Sequence, residues 1–158
     1  MTIQDLGSIG ELISSIATLA TLIYLAKQLQ ANTKATQASN WHEITRDYAR
    51  KNELLIVHPE INEIWREGLK NYPNLPNGEN ERFATIIANH GLQFQAIYAQ
   101  YQNGVLEEEM YTAYLGFFCS LIAQEGGLYW WEESARPVDV PSMVAAVDAQ
   151  LATGEYPN

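Results

Sequence analysis

The pattern of apolar and polar positions separates an opening apolar stretch from a longer region of mixed helical patterning. Residues 6–26 contain no Lys, Arg, Asn, Gln or Pro, and Glu11 is their only charged residue. A helix over this range rises by about 31 Å, close to the thickness of the hydrocarbon core of a bilayer. We therefore predict that this stretch is a transmembrane helix. The alternative is the central amphipathic helix of a soluble bundle, which has similar hydropathy.

The two faces of this helix differ in the size of their side chains. At about 100° per residue, one arc carries the large apolar side chains. Its members are Ile9, Leu12, Ile13, Ile16, Leu19, Ala20 and Ile23. The opposite arc is small and weakly polar, interrupted mainly by Leu22 and Leu25. Its small-xxx-small spacings at Gly10-xxx-Ser14 and Ala17-xxx-Thr21 are of the kind that pack membrane helices together. The predicted helix-packing interface consists of Gly7, Gly10, Glu11, Ser14, Ala17, Thr18 and Thr21.

Charge and cysteine content predict the orientation of this helix. No basic residue precedes the apolar stretch, and five follow it within the next turns: Lys27, Lys34, Arg46, Arg50 and Lys51. The positive-inside rule then places the N-terminus outside and the remaining chain in the cytoplasm. A single cysteine, Cys119, agrees with a reducing compartment. We predict a transmembrane anchor over residues 1–27 and a cytoplasmic domain over residues 28–158.

The chain beyond the anchor is predicted to be helical throughout. Residues 27–56 lack Gly and Pro, so the first helix is expected to continue past the membrane. His58-Pro59-Glu60 is typical of a helix start. Further helices are predicted near residues 80–102, 107–124 and 140–151, with Gly126-Gly127 breaking the chain between the last two. The fold class is therefore all-α, an N-terminal transmembrane helix followed by a small helical bundle.

The charge of the chain is strongly uneven. Residues 57–158 hold four basic and fourteen acidic side chains, which accounts for the whole net charge of −10. A domain this acidic is repelled by phosphate backbones, so we expect no nucleic-acid partner.

Searches for catalytic or metal-binding motifs give no positive result. The sequence contains no Gly-x-Ser-x-Gly elbow, Walker loop or Gly-x-Gly-x-x-Gly turn, and Arg46 stands where the second ligand of a zinc-protease helix would follow His42. We therefore predict no catalytic residues, no metal, no cofactor and no enzymatic activity. His90 lies on an apolar helix face and is interpreted as a core histidine; a general base is the alternative. Cys119 is expected to be a buried, inert thiol.

An aromatic cluster near the C-terminus has two interpretations. Tyr129, Trp130 and Trp131 follow one another, and Arg136 lies close behind them. Trp, Tyr and Arg are enriched at the energetic centres of protein interfaces, so these residues are candidate anchors for a partner. The alternative is that the rings complete the domain core. Both interpretations stay open at the level of sequence.

The chain also resembles an uncharacterised family of bacterial single-pass membrane proteins. That family pairs an LGxxGE start with a TLIYLAxQ helix end and an NT-containing polar segment, and this chain has LGSIGE, TLIYLAKQ and Asn32-Thr33. The resemblance continues through Gly68-Leu69 and through Gly126-Gly127 ahead of Trp130-Trp131-Glu132. It implies a membrane topology and a helical fold, and it implies no activity.

These observations together predict a non-catalytic, membrane-anchored accessory or scaffolding subunit. Its partner is expected to be a membrane protein complex or a second copy of the chain, bound through the transmembrane helix in the lipid bilayer. A membrane-anchored sensor is the first alternative, with a small apolar ligand or lipid held among Phe94, Tyr98, Phe118 and Trp130. The second alternative is an enzyme that uses His90 and a nearby carboxylate.

Overall fold

The computed structural model describes residues 3–76 and 78–156, and of residues 3–9 it describes the backbone alone. All the regular secondary structure in these residues is helical. They are α1 (Ile3–Val57), α2 (Pro59–Asn71), α3 (Glu79–Gln102), α4 (Glu108–Ile122), α5 (Glu125–Trp130) and α6 (Pro141–Thr153). A 3₁₀ turn (Tyr72–Asn74) follows α2, and a π-helical turn (Trp131–Ala135) follows α5. The predicted all-α class is confirmed.

Most of the predicted helix boundaries are confirmed. α1 continues beyond the apolar stretch to Val57, as the absence of Gly and Pro predicts. α2 begins with Pro59, whose fixed φ suits the first helical position, and carries Glu60 in its first turn. α3 ends at Gln102, and Gly104 after it has φ +69°, a left-handed conformation that glycine adopts without strain.

The chain divides into two compact units. Residues up to Ile44 form one unit, and residues from Thr45 onward form the other. The boundary predicted from sequence, between residues 27 and 28, marks the end of the apolar stretch. The boundary between the two packed units lies between residues 44 and 45. The predicted boundary thus describes where the apolar composition ends, and the observed one describes where the packing divides. Residues 45–57 of α1 belong to the second unit.

The second unit is built around α3. This helix packs against α2 and α4, α4 also packs against α5 and α6, and α2 packs against α5. Its core is aromatic and aliphatic, because apolar side chains recur on one face of each helix. The most completely buried side chains are Phe83, Ile87, Phe94, Ile97, Phe118, Cys119, Ile122, Trp131, Met143 and Val147.

The chain does break after α4, but at Ala123 and Gln124. The predicted position of the break at Gly126-Gly127 is wrong, since both glycines lie inside α5 and are buried. A Cβ atom at Gly126 would overlap the carbonyl oxygen of Gly68, and one at Gly127 would lie 2.6 Å from the carbonyl oxygen of Leu121. The missing side chains therefore allow α5 to approach the backbones of α2 and α4 closely. Gly68 itself faces the ring of Phe83, which occupies the space of a Cβ there. Two short motifs far apart in sequence, at Gly68 and Gly126, thus meet at one helix crossing.

Candidate functional site

Three hydroxyl groups on the small-residue side of α1 are bonded to the backbone of the helix itself. The hydroxyls of Ser15, Thr18 and Thr21 each donate a hydrogen bond of 2.8 Å to the backbone carbonyl oxygen four residues earlier. Their polar atoms are therefore satisfied within the helix itself. A helix tolerates hydroxyls bonded in this way without water, whereas Glu11 on the same face carries a charge.

The other predicted members of this face are also accessible. Glu11, Ser14 and Ala17 are exposed, and nothing lies within 4 Å of the position that a Cβ on Gly10 would take. Gly7 lies in α1 among the residues for which only the backbone is described. The structure therefore places these residues on an open helix surface.

The apolar side of α1 is uncovered as well. Its large aliphatic side chains from Leu12 to Leu29 keep between 52% and 69% of their surface exposed. Among the described residues, α1 is long and apolar enough to cross a membrane by length and composition, and none of its most apolar stretch is buried. A core helix and an N-terminal signal sequence can meet the same criteria of length and composition, and the exposure of this stretch is unlike that of a core helix.

Two of the four candidate partner anchors prove to be core residues. Trp130 and Trp131 are buried, and the Trp131 ring meets the Phe118 ring edge-on at 6.0 Å between centroids. Their interpretation as surface anchors is therefore corrected, because rings in the core have no surface to offer a partner. Tyr129 is 46% exposed and contacts the Tyr72 ring edge-on at 5.8 Å.

Arg136, the fourth candidate anchor, joins the π-helical turn to α6. Its Nε and terminal nitrogen donate to one carboxylate oxygen of Asp148 at 3.0 and 2.9 Å. The Trp131 indole donates to the other oxygen at 3.2 Å. Arg136 is exposed, and it also lines a groove of about 390 Å³ with Glu132, Pro137, Asp139, Pro141 and Val144. Its observed contact is thus within the second unit.

His90 lies in an aromatic setting in α3. Its ring stacks on Trp65 at 5.2 Å between centroids and lies 6.4 Å from the Tyr48 ring. It is 7% exposed, and its Nδ1 atom is buried without a hydrogen-bond partner. Burial, together with the positive charge of Lys51, lowers the pKa of His90 to about 4. The neutral imidazole is therefore the form that this environment favours.

The carboxylate that an enzymatic role would require is not found at Nδ1 of His90. The described part of the chain also contains no group of three or more His, Cys, Asp or Glu side chains able to hold a metal ion. An enzymatic role for His90 stays a prediction.

A polar contact between α1 and α3 adjoins His90. Lys51 Nζ donates to the Asn89 carbonyl oxygen at 2.9 Å and to Gln93 Oε1 at 2.6 Å, and it lies 6.0 Å from the centre of the Tyr48 ring. Burial lowers the pKa of Lys51 and raises that of Tyr48. Sequence reasoning missed this contact, although Tyr48 and Lys51 are three residues apart and share a helix face.

The rings proposed for an apolar ligand pack closely around one another or their neighbours. Phe94 and Phe118 are stacked at 4.7 Å between centroids with their planes 7° apart. Tyr98 and Trp130 are also buried, and Trp130 lies against Gly91. Because they are buried and closely packed, these four residues belong to the core, and the groove described above is lined by other residues. Ligand binding among them stays a prediction.

Cys119 lies in the same core. It is fully buried, and burial, with a smaller effect of Asp148, raises its pKa to about 12. A thiol that stays protonated and inaccessible has the character of a small apolar side chain. The predicted burial of Cys119 is confirmed.

Comparison with known proteins adds no further information. No protein-family model, no curated protein and no solved structure matches the chain.

Proposed function

We propose that this protein is a membrane-anchored, non-catalytic accessory or scaffolding subunit that packs through α1 against another membrane helix. The observation that carries the proposal is the exposure of every large aliphatic side chain from Leu12 to Leu29 in a helix of spanning length. In water, a continuous apolar surface of this kind is unfavourable by about 25 cal/mol per Å². In a bilayer the same surface is favourable.

The hydroxyl groups of α1 are compatible with a lipid environment, and Thr85 in α3 makes the same kind of bond. An unsatisfied polar group in hydrocarbon is unfavourable by several kcal/mol, at roughly the cost of a lost hydrogen bond. Ser15, Thr18 and Thr21 avoid this because each bonds to its own helix backbone. The charged residue Glu11 lies near the start of the stretch, where a carboxylate can reach the interface.

The proposed orientation places the N-terminus outside and the second unit in the cytoplasm. It follows from the basic residues that come after the apolar stretch, beginning with Lys27 and Lys34. The bacterial inner membrane is the proposed location, and the family named above is the proposed relationship, on the sequence motifs alone. Fusing alkaline phosphatase to the C-terminus tests the orientation: it should be inactive in intact cells, and an active fusion would reverse it.

The proposed packing surface is the small-residue face at Gly10 and Ser14. Large side chains there would separate two helix backbones that pack closely, and good polar contacts between membrane helices contribute about 1–2 kcal/mol each. Either a second copy of the chain or a different membrane protein fits this surface.

Co-purification in mild detergent tests the surface. Two differently tagged copies of the full chain are expressed together, and whatever elutes with each is identified. Replacing Gly10 and Ser14 with Leu is expected to release the partner. The matched control, Ile16→Leu with Ile23→Leu, changes the opposite face conservatively and should retain the partner.

The result distinguishes the two candidate partners, and it can also contradict the proposed packing surface. Recovery of the second tag assigns a homo-oligomer, whereas a reproducible membrane protein lost only on the Gly10 and Ser14 substitution assigns a larger complex. Undiminished co-purification of that substituted chain would show that this face does not hold the partner. Recovery of the full chain from a detergent-free, high-speed supernatant as a monomer would overturn the membrane role altogether.

A further inference from the structure

The last turns of α1 contact α3 through Lys51, a cation that forms no ion pair with any of the described residues. Lys51 donates to the neutral acceptors Asn89 O and Gln93 Oε1. The ion pairs found in the described residues leave Lys51 out, and Asp47, one turn earlier on α1, acts on it only through space. The contact therefore adds a half-buried cation to the second unit without neutralising it.

His90 shares the neighbourhood of this cation. It lies one turn before Gln93 on α3, and Lys51 is the charged group that acts on it. Two polar atoms here, Nδ1 of His90 and Nε2 of Gln93, are buried without hydrogen-bond partners. Buried polar groups are rarely left unpaired, because each loses its bonds to water without replacement. Keeping these two atoms away from water on this side of α3 is therefore energetically unfavourable.

The groups that face His90 from other elements offer no negative charge. α1 contributes Tyr48 and Lys51, and α2 contributes the Trp65 ring. From α4, Tyr114 and Phe117 pack on the Tyr48 ring at 5.7 and 5.4 Å between centroids. A protonated imidazole would thus be a second buried cation beside Lys51, with aromatic rings as its other neighbours.

We propose that the contact of residues 45–57 of α1 with α3 is a pH-sensitive latch, closed while His90 is neutral and released when its imidazole takes up a proton. The latch residues are Tyr48, Lys51, His90 and Gln93. Release gives water access to Nδ1 of His90 and Nε2 of Gln93 and lets the two cations move apart. The latch is a property of the second unit and does not depend on the membrane role of α1.

The direction of the effect follows from proton linkage. The pKa of His90 is about 4 in the closed state and about 6.5 for a solvated imidazole. Between these values the open state binds more protons, so acidification favours opening. From about pH 7 to about pH 4.5, the ratio of open to closed molecules is expected to rise roughly fiftyfold.

Hydrogen–deuterium exchange of the full chain in detergent micelles or lipid nanodiscs tests the latch. Exchange is measured at about pH 7, 5.5 and 4.5 and corrected for the intrinsic rate at each pH. Peptides covering residues 45–57 are expected to lose protection progressively on acidification, while peptides around Phe118 and Ile122 keep theirs. Equal loss in both regions would indicate global unfolding and overturn the proposal.

Two variants make the test specific. His90→Phe keeps a ring against Trp65 but cannot be protonated, so residues 45–57 should remain protected at acidic pH. His58→Gln removes a half-exposed histidine that lies between α1 and α2, and this variant should behave like the parent chain. Acid-induced opening that persists in His90→Phe would overturn the latch.

A direct titration covers the case in which the His90 variant fails to fold. The ring resonances of His90, followed by NMR in the unaltered chain, are expected to titrate well below the pH at which a solvated imidazole does, about 6.5. A His90 that titrates near 6.5 while residues 45–57 stay protected would overturn the proposal as well.

Discussion

The opening stretch of α1 and the helix α3 carry similar apolar patterns in opposite environments. Both repeat large apolar side chains at three- and four-residue spacing. Ile16 in α1 is 61% exposed, whereas Ile87 in α3 is 0% exposed. α3 has α2 and α4 packed against it, and the apolar side of α1 is uncovered from Leu12 to Leu29. The pattern alone therefore fixes the helix and its apolar face, and the neighbouring elements decide what covers that face.

Side-chain hydrogen bonds to the helix's own backbone occur in both regions. Thr18 and Thr21 in α1 make such bonds, and so does Thr85 in α3. In the second unit, polar side chains reach other elements, as Gln95 does to Asp139 at 3.2 Å and Trp131 does to Asp148. Self-satisfied polar groups suit hydrocarbon, and cross-linking ones hold a domain together in water. The bonds that join different elements are therefore what links the helices of the second unit to one another.

The largest effect is expected from shortening one isoleucine in each region. Ile87→Ala should lower the free energy of unfolding of the second unit by about 4 kcal/mol, since it leaves a cavity in the core. Ile16→Ala should leave that free energy unchanged, because Ile16 has no place in that core. Chemical denaturation of the full chain in detergent, followed by tryptophan fluorescence, measures both. Equal losses would show that α1 contributes to the same core, contrary to the comparison.

A second substitution pair tests the solvent around α1 directly. Leu19 lies in the apolar stretch and Leu29 beyond it, and they are 63% and 69% exposed. Leu19→Arg should reduce membrane insertion by about 3 kcal/mol, because a charge at the centre of a span is unfavourable. Leu29→Arg, in a region that we place outside the hydrocarbon, should change it little.

The measurement is the fraction of full chain that resists extraction from membranes at alkaline pH. If both arginines act alike, the apolar stretch is not distinguished from the polar helix that follows it, and the bilayer assignment fails.

Sequence patterning predicted the helices well because helix propensity, proline position and apolar spacing are local properties. The start of α2 at Pro59 and the apolar face of α3 at Phe83, Ile87 and Phe94 are confirmed for that reason. Contacts between helices follow no such local rule. The contact of Lys51 with α3 joins residues 38 and 42 positions apart, and nothing in either segment specifies the other.

The two glycines of α5 show the same limit in another form. Gly126-Gly127 has a composition typical of a chain break, and sequence alone cannot show that a second backbone lies against it. The tryptophans that follow were open to two interpretations for a similar reason. Burial is a property of the neighbours of Trp130 and Trp131, and the neighbours come from α3, α4 and α6.

Substituting one glycine in each region tests whether another helix backbone lies in close contact there. Gly126→Ala should destabilise the second unit by about 3 kcal/mol, because the new methyl group meets the Gly68 carbonyl and neither helix backbone can move freely. Gly10→Ala adds a methyl group where nothing lies within 4 Å. It should leave the second unit unaffected, since alanine also favours the helix. Thermal unfolding followed by circular dichroism distinguishes them, and a neutral Gly126→Ala would show that α2 and α5 are not in close contact.

The smallest effect is expected where an exposed charge links two elements. Asp148→Asn removes the ion pair with Arg136 but keeps an amide oxygen that can accept the Trp131 indole hydrogen. Ion pairs at the surface contribute about 0.2–1 kcal/mol, so we expect a loss of roughly 0.5 kcal/mol that shrinks in high salt. Asp148→Ala, which also removes the acceptor for the indole, should be less stable than Asp148→Asn because it leaves a buried donor unpaired. Denaturation at low and high ionic strength separates the two contributions, and equal stability of both variants would show that the indole hydrogen bond does not hold the π-helical turn to α6.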